Sequence, residues 1–195
     1  MKLYLIRHSL TEGNLHRRYI GITDEPLCAQ GIELAKQKRF PKAGKLYVSP
    51  MKRCVQTAEI LYPGQPFECV AEFAECNFGL FENKNADELR NCAEYQQWID
   101  NNGKSRFPNG ESKEHFLRRC IAGLDKVAAD CKWNHYDSAA LVVHGGTVMN
   151  LMESYGSPRK AFYEWHIENA SCYEVEMDME LWKTRKRALK YIKSI

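Results

Sequence analysis

The sequence predicts an α/β fold, with helices flanking an open, mostly parallel sheet. Two observations carry this expectation. Short apolar runs at residues 3–6, 46–48 and 139–143 alternate with longer amphipathic stretches of helical period. Each run also stops abruptly, at Arg7-His8-Ser9, at Ser49-Pro50 and at His144-Gly145-Gly146-Thr147. In open α/β sheets ligands bind in the crevice outside the carboxyl ends of the strands, so the three endings point towards one place.

In chain order, residues 3–6 form a buried-strand pattern that hands Arg7 and His8 to its own end. Arg7 offers a planar fork suited to phosphate, and His8 a ring nitrogen able to attack phosphorus. By itself such a dipeptide fits a solvated strand end equally well. Residues 11–24 are polar, contain Gly13 and Gly21, and read as a loop over that end. Residues 29–40 set Ile32, Leu34 and Ala35 among charged neighbours, an amphipathic helix. After the strand at 46–48, Ser49 and Pro50 read as a helix entry with Ser49 as N-cap, and the helix over 51–61 carries Arg53 in its first turn. A helix N-terminus there favours an anion.

Residues 67–70 fit a third strand, and 73–82 a loop in which Glu75 and Glu82 stand among aromatic residues. A carboxyl in apolar surroundings has the raised pKa of a general acid, although this stretch alone fits an exposed loop carboxylate better. Residues 86–101 read as helix with Trp98 packed, 103–110 as a lid candidate, and 112–131 as a long core helix with Phe116, Cys120, Leu124 and Val127 on one stripe. Residues 139–143 are the most apolar strand and therefore central. The glycines after His144 let backbone N–H groups approach an anion before a helix over 148–155. Residues 172–177 and 184–189 close the chain as strands.

The 195 residues, 44% hydrophobic and 27% charged, fit one ordinary globular domain. A formal charge of +3 is too small to mark a nucleic-acid partner, and the basic run 183–187 lacks an interleaved aromatic platform. The eight cysteines never form Cys-x-x-Cys and follow no secretory leader, so free thiols in a cytoplasmic setting are expected. No apolar run is long enough to span a membrane. Arg7, His8, Arg53 and His144 together make a pocket for a dianion. A zinc site on His8 and His144 is disfavoured, because the adjoining arginines repel a cation and no third ligand is suggested.

Ordered along the chain, Leu5-Ile6-Arg7-His8 with Thr11, Glu12 and Asn14, Gly21, Ser49-Pro50 with Arg53 and Gln56-Thr57-Ala58, Glu75 with Glu82, Gly110-Glu111-Ser112 with Arg119, and Val143-His144-Gly145-Gly146 resemble the histidine phosphatase superfamily in its phosphoglycerate-mutase-like branch. The resemblance runs from residue 1 to about 170. It implies a three-layer α/β/α sandwich and a metal- and cofactor-independent phosphomonoesterase acting on a small molecule. His8 would be the nucleophile, Glu75 the proton donor, and Arg7, Asn14, Arg53, His144 and Gly145 the phosphoryl-binding groups. Residues 83–110 would form a cap over the pocket.

Two positions depart from the family pattern, Ser9 and Asn83 standing where glycine is usual. The compact length favours a phosphatase over a mutase, and residues 162–172 are similar to those of α-ribazole phosphatases, which act in cobalamin synthesis. A phosphoglycerate mutase and a non-catalytic phosphate-binding protein are the alternative expectations. Oligomeric state is not legible.

Overall fold

The computed structural model describes residues 1–184 and 186–195. Its elements are β1 (Lys2–Arg7), α1 (Glu12–Leu15), α2 (Ala29–Gln37), β2 (Lys45–Val48), α3 (Lys52–Leu61), β3 (Phe67–Cys69), α4 (Ala93–Asp100), α5 (Lys113–Trp133), β4 (Ser138–Val143), α6 (Gly145–Tyr155), β5 (Gly156–Ser157), β6 (Cys172–Met177), α7 (Met179–Trp182) and β7 (Leu189–Ser194). The strands form one seven-stranded sheet in the order β3-β2-β4-β1-β6-β7-β5. The β3-β2-β4-β1 block is parallel, β6 is antiparallel to both neighbours, and β5 runs parallel to β7.

Both faces of the parallel block are covered, which is why its strands are apolar without alternation. Leu3, Leu5, Leu141 and Val143 pack with Phe116, Leu124 and Val127 of α5 and with Val148 and Leu151 of α6. Tyr4, Ile6, Ala140 and Val142 point the other way, onto Cys54 and Ala58 of α3. Helix α2 packs against α3 in that second layer. The expected three-layer α/β/α arrangement is therefore present, and β1 and β4 lie side by side with Arg7 in register with Val143.

Several boundaries differ from the sequence reading. The last strand lies at Leu189–Ser194 and not at 184–189. Asp178 accepts from Glu180 N–H and Leu181 N–H and starts α7 there, which buries Trp182. Arg185, within the expected strand and basic run, lies outside the described residues. The helix expected over 86–101 shrinks to α4. Asn85 and Glu88 exchange side-chain-to-backbone hydrogen bonds at 2.9 and 3.0 Å that close a turn instead. Helix α6 begins at Gly145, directly after His144. The short β5 and the one-turn α1 in the 11–24 loop were not legible.

The eight cysteines are free thiols. No helix among the described residues is long and apolar enough to cross a membrane.

The stretch between Phe78 and Glu111 carries a separate, aromatic cluster, in which Phe81, Leu89, Tyr95 and Trp98 pack with Tyr19, Phe78 and Phe107. It is tied to the first loop by Tyr19 N–H donating to Lys84 C=O at 2.9 Å and Asn83 N–H to Tyr19 C=O at 2.8 Å. Leu80 N–H donates to Pro108 C=O at 2.8 Å, which joins the lid candidate at 103–110 to the Glu75 loop. Asn83 adopts φ 57°, the left-handed conformation that explains why glycine would be at home there.

Candidate active site

The parallel pairing of β1 and β4 places their two histidines next to each other. The ring centroids of His8 and His144 lie 5.2 Å apart with their planes at 66°, edge towards face, and both residues are buried. His8 Nδ1 stands 2.7 Å from Ser9 C=O. A carbonyl only accepts, so Nδ1 carries the proton and Nε2 keeps a free lone pair. Burial, reinforced by Arg53 and Arg7, holds the His8 pKa well below its usual value and keeps the ring neutral. The backbone beneath it is clamped by His8 N–H to Val143 C=O at 2.9 Å and by Asn169 Nδ2 to His8 C=O at 3.0 Å.

Ser9 is fully buried and donates its hydroxyl to Gly31 C=O at 2.6 Å, while its N–H donates to Thr57 Oγ1 at 2.9 Å. The side chain that replaces the usual glycine is thus absorbed by the packing of α2. Gly31 permits this contact, since a Cβ there would sit 2.0 Å from Leu10 C=O.

Arg53 is fully buried near the start of α3. Its Nη1 donates to Thr23 C=O at 2.8 Å, its Nη2 to Gly21 C=O at 2.9 Å, and its Nε to His144 Nδ1 at 3.3 Å. Glu82 holds the loop that supplies those carbonyls, accepting from Gly21 N–H at 2.7 Å and Thr23 N–H at 2.9 Å. Gly21 itself is forced, because a Cβ would lie 1.9 Å from Cys76 C=O. The helix-entry reading of Ser49 is corrected. The N-cap of α3 is Met51, Asp24 accepts from Lys52 N–H at 2.7 Å, and Ser49 Oγ instead meets His144 Nε2 at 2.7 Å.

Arg7 donates from Nη1 to Ile167 C=O at 2.7 Å, and its buried Nε has no hydrogen-bond partner among the described residues. A Cβ on Gly145 would stand 3.1 Å from that Nε, so glycine lets the helix terminus close on the guanidinium. Glu75 is buried and accepts from Cys76 N–H at 2.9 Å and Gly146 N–H at 3.3 Å. Burial raises its pKa against the opposing pull of those N–H groups and of Arg53 and Arg7. The stretch alone favoured an exposed carboxylate, and the buried position overturns that reading. A Cβ on Gly146 would come within 2.7 Å of Glu75 Oε1.

Arg119 holds the Glu75 loop in place. It pairs bidentately with Glu111 at 2.9 Å through Nε and Nη2 and donates to the backbone carbonyls of Glu72, Ala74 and Glu75. Asn14 completes the rim: its Oδ1 accepts from Thr11 N–H and from Asn169 Nδ2, each at 3.2 Å, leaving its amide N–H groups to donate.

All seven residues expected at the site stand together around the ends of β1 and β4. The sequence reading includes Thr57 and Asn169 in its matching stretches but gives neither a role, and it misses the role of Ser49. Their only local signals are polar residues beside a strand or on a helix, and they act on backbone or rings from 48 to 161 positions away. Two arginines beside two neutral histidines and one protonatable carboxyl suit an anion. Among the described residues no group of three or more His, Cys, Asp or Glu stands together as metal ligands.

Residues 3–189 match the model of the histidine phosphatase superfamily (branch 1). A Hydrogenobacter thermophilus protein named "Putative phosphoserine phosphatase 2" is 28% identical over 190 residues, spanning 92% of this chain and 91% of its own. An Escherichia coli O1:K1 protein named "Probable phosphoglycerate mutase GpmB" is 29% identical over 192 residues, spanning 93% and 87%. The crystal structure of the α-ribazole phosphatase from Shigella flexneri superimposes with a TM-score of 0.77 at 23% identity, over 98% of this chain and 96% of that one.

Proposed function

The chain belongs to the histidine phosphatase superfamily and is a phosphatase, and from that premise we propose that it hydrolyses a small phosphomonoester through a phosphohistidine on His8. The observation that carries this reading is the His8 ring: Nδ1–H is committed to Ser9 C=O at 2.7 Å, so the free lone pair is on Nε2. In the first step Nε2 attacks phosphorus, the bond to the ester oxygen breaks, and Glu75 gives its proton to the leaving alkoxide. In the second, water attacks phosphorus, the P–N bond breaks, and Glu75 takes the water's proton. Arg7, Arg53, His144, Asn14 and the backbone at Gly145 neutralise and orient the phosphoryl oxygens, which is the greater part of what phosphoryl transfer asks of a protein. The arginines supply the positive charge that the phosphoryl group meets.

The protonation states agree with this division of labour. The depressed pKa of His8 supplies a neutral nucleophile, and the raised pKa of Glu75 supplies an acid. In the free enzyme kcat/KM is then expected to fall as pH rises through the raised pKa of Glu75 and as pH falls through the depressed pKa of His8.

We take α-ribazole 5′-phosphate as the first candidate substrate. Its support is the similarity of residues 162–172 to α-ribazole phosphatases and the fold shared with the Shigella flexneri enzyme. Phosphoserine and 3-phosphoglycerate, the substrates suggested by the names of the two sequence relatives, are the comparators. The test is phosphate release from all three in EDTA with His8→Ala as the blank. Turnover of α-ribazole phosphate orders of magnitude above the comparators supports the assignment. Preference for either comparator moves the substrate and keeps the chemistry. No release above the blank favours a phosphate-binding protein, and isomerisation of 3-phosphoglycerate stimulated by 2,3-bisphosphoglycerate favours a mutase.

A further inference from the structure

The mechanism above asks His144 to donate to a phosphoryl oxygen, yet the resting geometry gives it nothing to donate in that direction. Arg53 Nε–H can only donate, and it reaches His144 Nδ1 at 3.3 Å. Nδ1 is therefore a lone pair. A neutral ring then carries its proton on Nε2, 2.7 Å from Ser49 Oγ, which accepts it. Ser49 is fully buried and is held at the end of β2 by its own N–H donating to Val142 C=O at 3.0 Å. His144 thus stands in the opposite tautomer to His8.

We propose that Ser49 is a positioning residue that fixes the Nε2–H form of His144, so that Nδ1, released from Arg53, becomes the proton-accepting group when a phosphoryl oxygen arrives. This rests on the reading of the crevice as a phosphoryl site. A phosphomonoester has a second pKa of about 6, so near neutrality part of it is the monoanion. That monoanion brings the proton. It passes from a phosphoryl oxygen to Nδ1, leaving a bound dianion and an imidazolium whose Nδ1–H faces the phosphoryl group and whose Nε2–H stays on Ser49 Oγ. Charge is conserved within the pocket and no proton is drawn from solvent.

The groups facing the ring decide when this exchange runs. Arg53 and the Cys54 thiol face it from α3, His8 and Arg7 from the end of β1, and Arg119 acts from α5. Burial and the arginine charges oppose an imidazolium in the free protein, and the phosphoryl dianion that the proton transfer leaves beside the ring reverses that balance. A hydroxyl is well suited to position 49, because it accepts from Nε2–H in both states.

The test is nitrogen-15 NMR of the histidine rings in the whole protein, with His144 assigned from the spectrum of His144→Ala and inorganic phosphate as the probe. In the free protein the expected pattern is a neutral ring protonated at Nε2. With phosphate present, shown bound by movement of the His8 signals, both His144 nitrogens move to imidazolium values. A free-state Nδ1–H ring overturns the proposal, as does a His144 ring unchanged while His8 reports binding. If His8 does not respond, the phosphoryl-site reading fails, and the free-state tautomer still decides the role of Ser49. Ser49→Ala is expected to lower kcat/KM about ten- to hundredfold and to let His144 populate both tautomers. Ser49→Thr keeps the hydroxyl and is expected to restore most of the rate and the single-tautomer spectrum. An alanine variant with the wild-type His144 spectrum overturns the assignment.

Discussion

The ends of β1 and β4 are neighbours in one sheet, each finishes in a histidine, and they are built in opposite ways. His8 is fixed by its own chain, its ring tied to the carbonyl of the next residue. His144 is fixed by side chains from elsewhere, Ser49 on one ring nitrogen and Arg53 on the other, 95 and 91 positions away. The backbone bond at β1 cannot be rearranged by a ligand. The side-chain bonds at β4 can be. A nucleophile needs a permanent lone pair, and a group that answers charge on the substrate needs an exchangeable one. The difference between the two turns matches the difference between the two proposed tasks.

The comparison is broken most directly at the rings. His8→Ala is expected to remove turnover by on the order of 10⁴-fold or more, and His144→Ala to cost about 10²- to 10³-fold, measured as kcat/KM. Equal losses would mean that both rings take part in bond making. Glu75→Gln sharpens it at the proton. The expected loss is about 10²- to 10⁴-fold on an alkyl phosphate and far smaller on p-nitrophenyl phosphate, whose leaving group departs without a proton. Equal losses on the two substrates would remove Glu75 from the acid role.

Stability against pH is the third probe. The pKa values of His8 and His144 are depressed in the folded protein. The unfolded chain therefore binds more protons below about pH 6.5, and stability present above that pH is lost as pH falls towards the folded values. Glu75 acts in the opposite sense, because its raised folded pKa means that stability is lost as pH rises above its usual carboxylate value. Urea unfolding of His144→Gln between pH 5.5 and 6.5 is expected to show a shallower pH slope than wild type, by up to about 1.4 kcal/mol per pH unit. An unchanged slope would place a proton on the buried ring. The smallest effect is expected for Ser9→Gly. It loses the Gly31 hydrogen bond and about 0.5–1.5 kcal/mol of stability, and kcat/KM stays within about threefold.

What could be read from the sequence follows the same local and distant division. The strand runs that end in Arg7-His8 and in His144, and the arginine at the start of α3, are local patterns, and the sheet follows from their alternation with helices. Glu75 was ambiguous because its burial comes from Gly146 on α6 and from the Arg119 clamp on α5, neither of which its flanking aromatics reveal. Ser49 was misread for a related reason. Ser before Pro is a sound helix entry, but its hydroxyl is claimed by a histidine from the adjoining strand, and Asp24 meets the helix terminus instead. The last strand was shifted because its basic neighbours obscure the apolar–polar alternation that begins at Leu189.

The position of β1 in the sheet bears on the order of assembly during synthesis. The strand carrying the proposed nucleophile is made well before its neighbours β4 and β6, with Lys2 opposite Ser138 and Leu3 opposite Val175. Loop closure over such spans is slow compared with helix formation, and β1 stays without its partners until β4 and β6 have been made. No nascent piece ending before β4 can hold His8 against His144. The chain acquires its chemistry late and all at once, when the middle of the sheet closes.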